Sequence, residues 1–178
     1  MDLRGKEDAL GQAKSLEQLG YVAFERFLEA RETAEPRHEL AKYLNAALNL
    51  YLRALGQTPP DAISDLWEKH NQLGNIYSAA GDIDRAMEHY LKSVGYKEAG
   101  GYAYGAAEIR YNVALALAKR GRFADAKEYA VAALRGYQAF GDRAKDEVMK
   151  TLRLIAQVEQ DLKAGGKKEP EARSQESG

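Results

Sequence analysis

The chain has 178 residues, a net charge of −1 and no cysteine. That length suffices for one domain with a hydrophobic core, and the missing thiols exclude disulfides, thiolate nucleophiles and cysteine metal sites. Near-neutral charge selects no partner class, and without a dominant basic face nucleic acid is not an expected partner.

Residues 1–11 read as an N-terminal segment, and Met1 to Asp8 contain no apolar core of signal-peptide type. No run of about 18 apolar residues occurs anywhere, so no membrane span is expected and a cytoplasmic location follows. Alanine, leucine, glutamate, lysine and arginine fill the long stretches, and all favour helix. A helical domain is therefore expected over 12–164. Its first helix carries one apolar stripe at Leu16, Leu19, Ala23, Phe27 and Ala30, and another at Tyr21, Phe24 and Leu28. A helix apolar on two sides must be covered on two sides. Either the following segment folds back over it, or a second copy of the chain does, making a homodimer through Tyr21, Phe24 and Leu28. Ala47, Tyr51 and Ala54 mark its partner helix, which ends before Pro59.

The middle of the chain repeats itself. His70 to Tyr77, then Gly81-Asp82-Ile83-Asp84-Arg85-Ala86 and Tyr90, align with Arg110 to Leu117, then Gly121-Arg122-Phe123-Ala124-Asp125-Ala126 and Ala130. Gly74 to Ala114, Gly81 to Gly121, Ile83 to Phe123 and Ala86 to Ala126 all share one offset of forty positions. Each unit reads as helix, tight turn, helix. Leu66, Leu73, Tyr77 and Ala80 make the stripe of the leading helix. Gly81 supplies a left-handed stop and Asp82 an N-cap. Small residues at Gly74, Ala86, Ala114 and Ala126 let paired backbones approach closely. Leu152-x2-Ile155-Ala156 opens a last helix, whose polar face at Glu159, Gln160, Asp161 and Lys163 suits a terminal cap. From residue 165 to 178, Gly, Lys, Glu, Ser and Gln dominate, and a disordered tail is expected. Charge is polarised, with four basic against seven acidic residues over 61–105 and eleven against eight over 106–164.

Leu73-Gly74-x2-Tyr77 and Ala86-x3-Tyr90, with His70 in the tryptophan slot, resemble the tetratricopeptide repeat. The forty-residue spacing, longer than the usual repeat of about 34, looks like the subclass found in G-protein-signalling modulators and in sensor regions of bacterial signalling ATPases. In the leading pair, Gly20 to Ala47 spans twenty-seven positions where Gly74 to Ala86 spans twelve. This insertion of fifteen is expected to lengthen the first helix and the loop around Glu35-Pro36. The resemblance implies an all-α right-handed superhelix, or solenoid, of about three helix pairs plus a C-terminal capping helix.

It also implies a concave groove that holds peptide. Trp67, Asn71 and Ser78 share the face opposite Leu73, with Asn75 at its edge. Asn112 follows in the next unit, and Lys150 and Arg153 in the last helix. Side-chain amides there can pair with both N–H and C=O of an extended backbone. Asn75, Asn112, Lys150 and Arg153 resemble the carboxylate-gripping set of chaperone-binding members, although Asn71 stands where the first clamp lysine is expected. Trp67 either packs on the preceding helix near Leu52 and Leu55 or lines the groove as a contact hot spot.

No constellation for catalysis emerges. His38, His70 and His89 lack metal-ligand spacing. Gly95, Gly100, Gly101 and Gly105 lack the Gly-Lys-Ser/Thr of a phosphate loop and read as an inter-helix connection. Tyr96, Tyr102 and Tyr104 either pack on the next helix or face a partner. The expectation is a non-enzymatic protein- or peptide-binding scaffold or adaptor, without catalytic residues, metal or cofactor. The alternatives are a peptide- or ligand-sensing module with a separate output protein and a self-assembling structural unit.

Overall fold

Glycines, and in one place an alanine, punctuate the chain in this computed structural model, which describes residues 3–165. Gly81, Gly101 and Gly121 adopt φ of 90°, 77° and 74°, and Ala34 adopts 55°. Behind each, the next residue's N–H reaches back five residues: Glu35 to the Ala30 carbonyl, Asp82 to Tyr77, Tyr102 to Lys97 and Arg122 to Leu117, at 2.8–3.0 Å. This left-handed closure satisfies carbonyls that a helix end otherwise leaves open.

Between these stops the described residues form seven helices: α1 (Leu3–Glu32), α2 (Arg37–Gln57), α3 (Ile63–Ala80), α4 (Ile83–Ala99), α5 (Ala103–Ala118), α6 (Phe123–Gln138) and α7 (Lys145–Gly165). A 3-10 turn, Gly141–Ala144, precedes α7, and no strand occurs among the described residues. The fold is all-α and built of consecutive helix pairs, α1 on α2, α3 on α4 and α5 on α6, with α7 packed on α6. That is the expected helical-repeat class. The sequence period is also the period of the elements: α3 starts at Ile63 and α5 at Ala103, α4 at Ile83 and α6 at Phe123, the same offset of forty each time. Asp82 caps α4 as expected, accepting the Arg85 N–H at 3.1 Å.

Contacts divide the chain into two units, Met1–Tyr102 and Ala103–Gly178. In the first, aromatic rings pack on bare glycines. A Cβ on Gly20 would lie 2.8 Å from the Tyr51 ring, and one on Gly74 would lie 2.6 Å from the Tyr90 ring. In the second, Ala106, Ala107, Ala114, Ala126, Ala130 and Ala133 are all fully buried. A methyl group packs at short helix–helix distance and loses no rotamer freedom there.

Three features differ from the sequence reading. Residues 3–11 continue α1, because Gly5 and Gly11 weaken a helix without stopping it. The added residues of the first pair lengthen α1 to 30 and α2 to 21 residues, and the connection between them is only residues 33–36. The last helix starts at Lys145 and buries Thr151 and Val158, leaving Leu152 exposed. Thr151 enters the core because its hydroxyl donates to the Glu147 carbonyl at 2.6 Å. The tail expected from residue 165 lies, from 166 onward, outside the described residues.

Candidate functional site

In the first unit, a cavity of about 740 Å³ opens between α1 and α3 over Tyr51 of α2. Lys14, Glu17 and Tyr21 line it from α1, and Asp65 and Glu68 from α3. The i, i+3/i+4 spacing along both helices places these side chains on one stripe each. Behind the wall Lys69 is fully buried, and its Nζ donates to Glu17 Oε2 at 2.7 Å. The same Nζ and that of Lys14 each lie 3.8 Å from Asp65 Oδ1. A buried ammonium requires such carboxylates, since its desolvation cost is met only by close opposite charge. Glu68 has no cation within 4 Å among the described residues. Partial burial and then the Glu17 carboxylate push its carboxyl above the usual range. Burial, Glu17 and Glu68 likewise push the Tyr51 phenol well above its ordinary value.

The groove residues proposed from sequence fall on both units. Trp67, Asn71, Asn75 and Ser78 lie on α3, Asn112 on α5, and Lys150 and Arg153 on α7. Asn75 and Ser78 are satisfied internally. Tyr90 Oη donates to Asn75 Oδ1 at 2.7 Å, Asn75 Nδ2 donates to Gln72 Oε1 at 3.3 Å, and the Ser78 hydroxyl also bonds to Tyr90. Asn71 is different: its Oδ1 is buried without a hydrogen-bond partner among the described residues, as is Trp67 Nε1. The Trp67 ring is covered from α4, with Lys97 Nζ 3.5 Å from its centroid. In the second unit Asn112, Lys150 and Arg153 are all exposed. On α1, Tyr21 is 53% exposed at the cavity wall, whereas Phe24 stacks on Phe27 at 5.8 Å and Leu28 is half-buried.

The tryptophan slot holds a histidine for a visible reason. His70 is buried, and its Nδ1 lies 2.9 Å from Nδ1 of His89 on α4. The two rings continue into a stack, His70 on Tyr96 at 5.7 Å and His89 on Tyr77 at 5.4 Å. Such a contact between ring nitrogens needs one N–H and one lone pair, so it admits one proton between the rings and not two. Burial, His89 and Lys92 push the His70 pKa down to about 4. Of the other tyrosines singled out, Tyr104 packs edge-on against Tyr137 and Phe140, and Tyr102 is exposed.

Residues 70–99 match the tetratricopeptide repeat. The matched segment starts at His70 in the tryptophan slot and runs to the end of α4. Within this tetratricopeptide repeat Gly74 meets Tyr90 and Ala86 is buried, the contacts its spacing serves. No curated protein matches the chain significantly. Among the described residues no group of three or more His, Asp or Glu side chains could hold a metal ion, and no helix is long and apolar enough to cross a membrane.

Sequence reasoning missed the cavity. Its signal was present in Lys14, Glu17 and Tyr21 on one helix and Asp65, Glu68 and Lys69 on another. That pattern becomes a site only when α1 and α3 are placed side by side.

Proposed function

We propose that the chain is a non-enzymatic protein- or peptide-binding module, an adaptor or scaffold of the cytoplasm. The carrying observation is the tetratricopeptide match over 70–99, a helix-pair repeat whose stacked surfaces serve protein contact. The cavity between α1 and α3 supports a binding surface in the first unit, and Asn71 on α3, half-buried with its carbonyl unmet, is assigned to accept a partner's backbone N–H once that carbonyl turns outward. Asn112, Lys150 and Arg153 are assigned the same role in the second unit, where exposed side chains are free to reach a ligand. The forty-residue spacing of helix starts supports the longer-repeat subclass that includes G-protein-signalling modulators. Recovery of partners from a lysate is expected to fall at least tenfold for an Asn71→Ala/Asn112→Ala double variant with unchanged circular dichroism. Equal recovery would remove these residues from the binding surface.

A second reading, self-association through α1, is favoured by Leu19, Tyr21 and Val22, which are 58%, 53% and 50% exposed. Sedimentation at high concentration tests it, and a strictly monomeric chain rejects it.

A further inference from the structure

We infer that the cavity between α1 and α3 receives an arginine side chain carried by an extended segment of a partner protein. The inference rests on the protein-binding reading above and adds the chemistry that the surface selects.

Three carboxylates, Glu17, Asp65 and Glu68, line the cavity. Lys69 is committed to Glu17 at 2.7 Å, and Lys14 and Lys69 share Asp65 at 3.8 Å. Glu68 stands outside these pairs. Acidic side chains alone do not define a site, but Tyr51 adds an independent feature. It is only 2% exposed, it lines the cavity, and its hydroxyl has no hydrogen-bond partner among the described residues. Its ring is wedged where Gly20 lacks a side chain, and its hydroxyl end lies within the field of Glu17 and Glu68. The hydroxyl still reaches solvent, so water meets it in the open cavity, and a ligand that displaces this water must replace its hydrogen bonds.

A group that donates N–H both to the Glu68 carboxylate and to the phenolic oxygen meets this lining. A guanidinium has five N–H donors in a planar fork, and it is less strongly hydrated than an ammonium, so it loses less on entering a confined site. Tyr21 offers an exposed ring face at the wall for a planar cation. Val22 beside it offers apolar surface for the aliphatic stem. A volume of about 740 Å³ exceeds one side chain, which leaves room for the residues flanking the arginine. The first unit carries sixteen acidic and twelve basic residues, so its field also draws a basic segment.

The test selects binders to the full chain from a random-sequence displayed peptide library. Arginine-containing peptides are expected to dominate. Replacing that arginine by citrulline, which keeps the shape and removes the charge, is expected to weaken binding at least tenfold, and Glu68→Gln should do the same. The citrulline arm leaves the protein unaltered, so a folding defect cannot account for it. Binders without arginine enrichment overturn the inference while the protein-binding reading stands. Arginine peptides indifferent to Glu68→Gln overturn the site. Acetyl-arginine amide binding as tightly as the peptides overturns the extended segment, and self-association abolished by Glu68→Gln gives the cavity to a second copy instead. A library that yields no binder overturns this inference and the peptide-binding reading together.

Discussion

Ala34 holds a position that suits glycine. It sits at φ 55°, where its Cβ crowds the following carbonyl, while Gly81, Gly101 and Gly121 hold equivalent positions at no such cost. The strain of roughly 1–2 kcal/mol is offset in part by the lower chain entropy that alanine carries into the unfolded state. Ala34→Gly is therefore expected to stabilise the chain by about 0.5–1 kcal/mol, raising the melting temperature by a few degrees. A calorimetric scan showing no rise, or a fall, would contradict that account. Lys69 shows the opposite character. Its charge is fully buried, and its role lies in holding Glu17 and Asp65 on facing helices rather than in net stability.

The α3–α4 pair carries a pH dependence through His70 and His89. The 2.9 Å contact between their Nδ1 atoms tolerates one shared proton and resists a second. The folded-state pKa of His70 is pushed down to about 4, from an ordinary value near 6.5, by burial, by His89 and by Lys92. His89 is lowered by burial and by Lys92, with Glu88 pulling the other way. The unfolded chain therefore binds these protons more readily than the folded one. Stability from the pair is complete above pH 6.5 and is lost as pH falls toward about 4. For His70 alone the loss is about 2 kcal/mol between pH 7 and 5. Urea unfolding at those two pH values should show that difference, and His70→Phe/His89→Phe should flatten it. A variant with the wild-type slope would exclude the pair as its source. In α7 the register turned on one hydroxyl: Thr151, polar by type, is buried because its own helix satisfies it, and Leu152 beside it faces out.

At the scale of the molecule, two units each hold a core of their own, and their boundary falls at Tyr102. Gly100, Gly101 and Tyr102 are all exposed there. Their sequence charges are opposite, sixteen acidic against twelve basic residues in 1–102 and eleven against fourteen in 103–178. Brief digestion with chymotrypsin is expected to cut first at Tyr102, leaving two protected fragments, one ending at Tyr102 and one beginning at Ala103. First cleavage within α3 or α4 would contradict the division.

Periodicity alone specified the helix class, the forty-residue repeat and the ends at Gly81 and Gly121, because these follow from local rules of stripe, stop and cap. Gly74 and Ala86 were legible as close-packing positions for the same reason: the need for a small residue is written in the residue itself. The candidate site was legible only in part. Asn75 and Ser78 look available in sequence, yet Tyr90, on the neighbouring helix, takes their polar atoms. Glu17 and Lys69 are 52 residues apart, and nothing local marks them as partners. Nor does the sequence say that the Tyr51 hydroxyl remains unpaired beside them. Side-chain availability depends on which groups lie across a helix–helix contact, and the packing of α1, α2, α3 and α4 decided that.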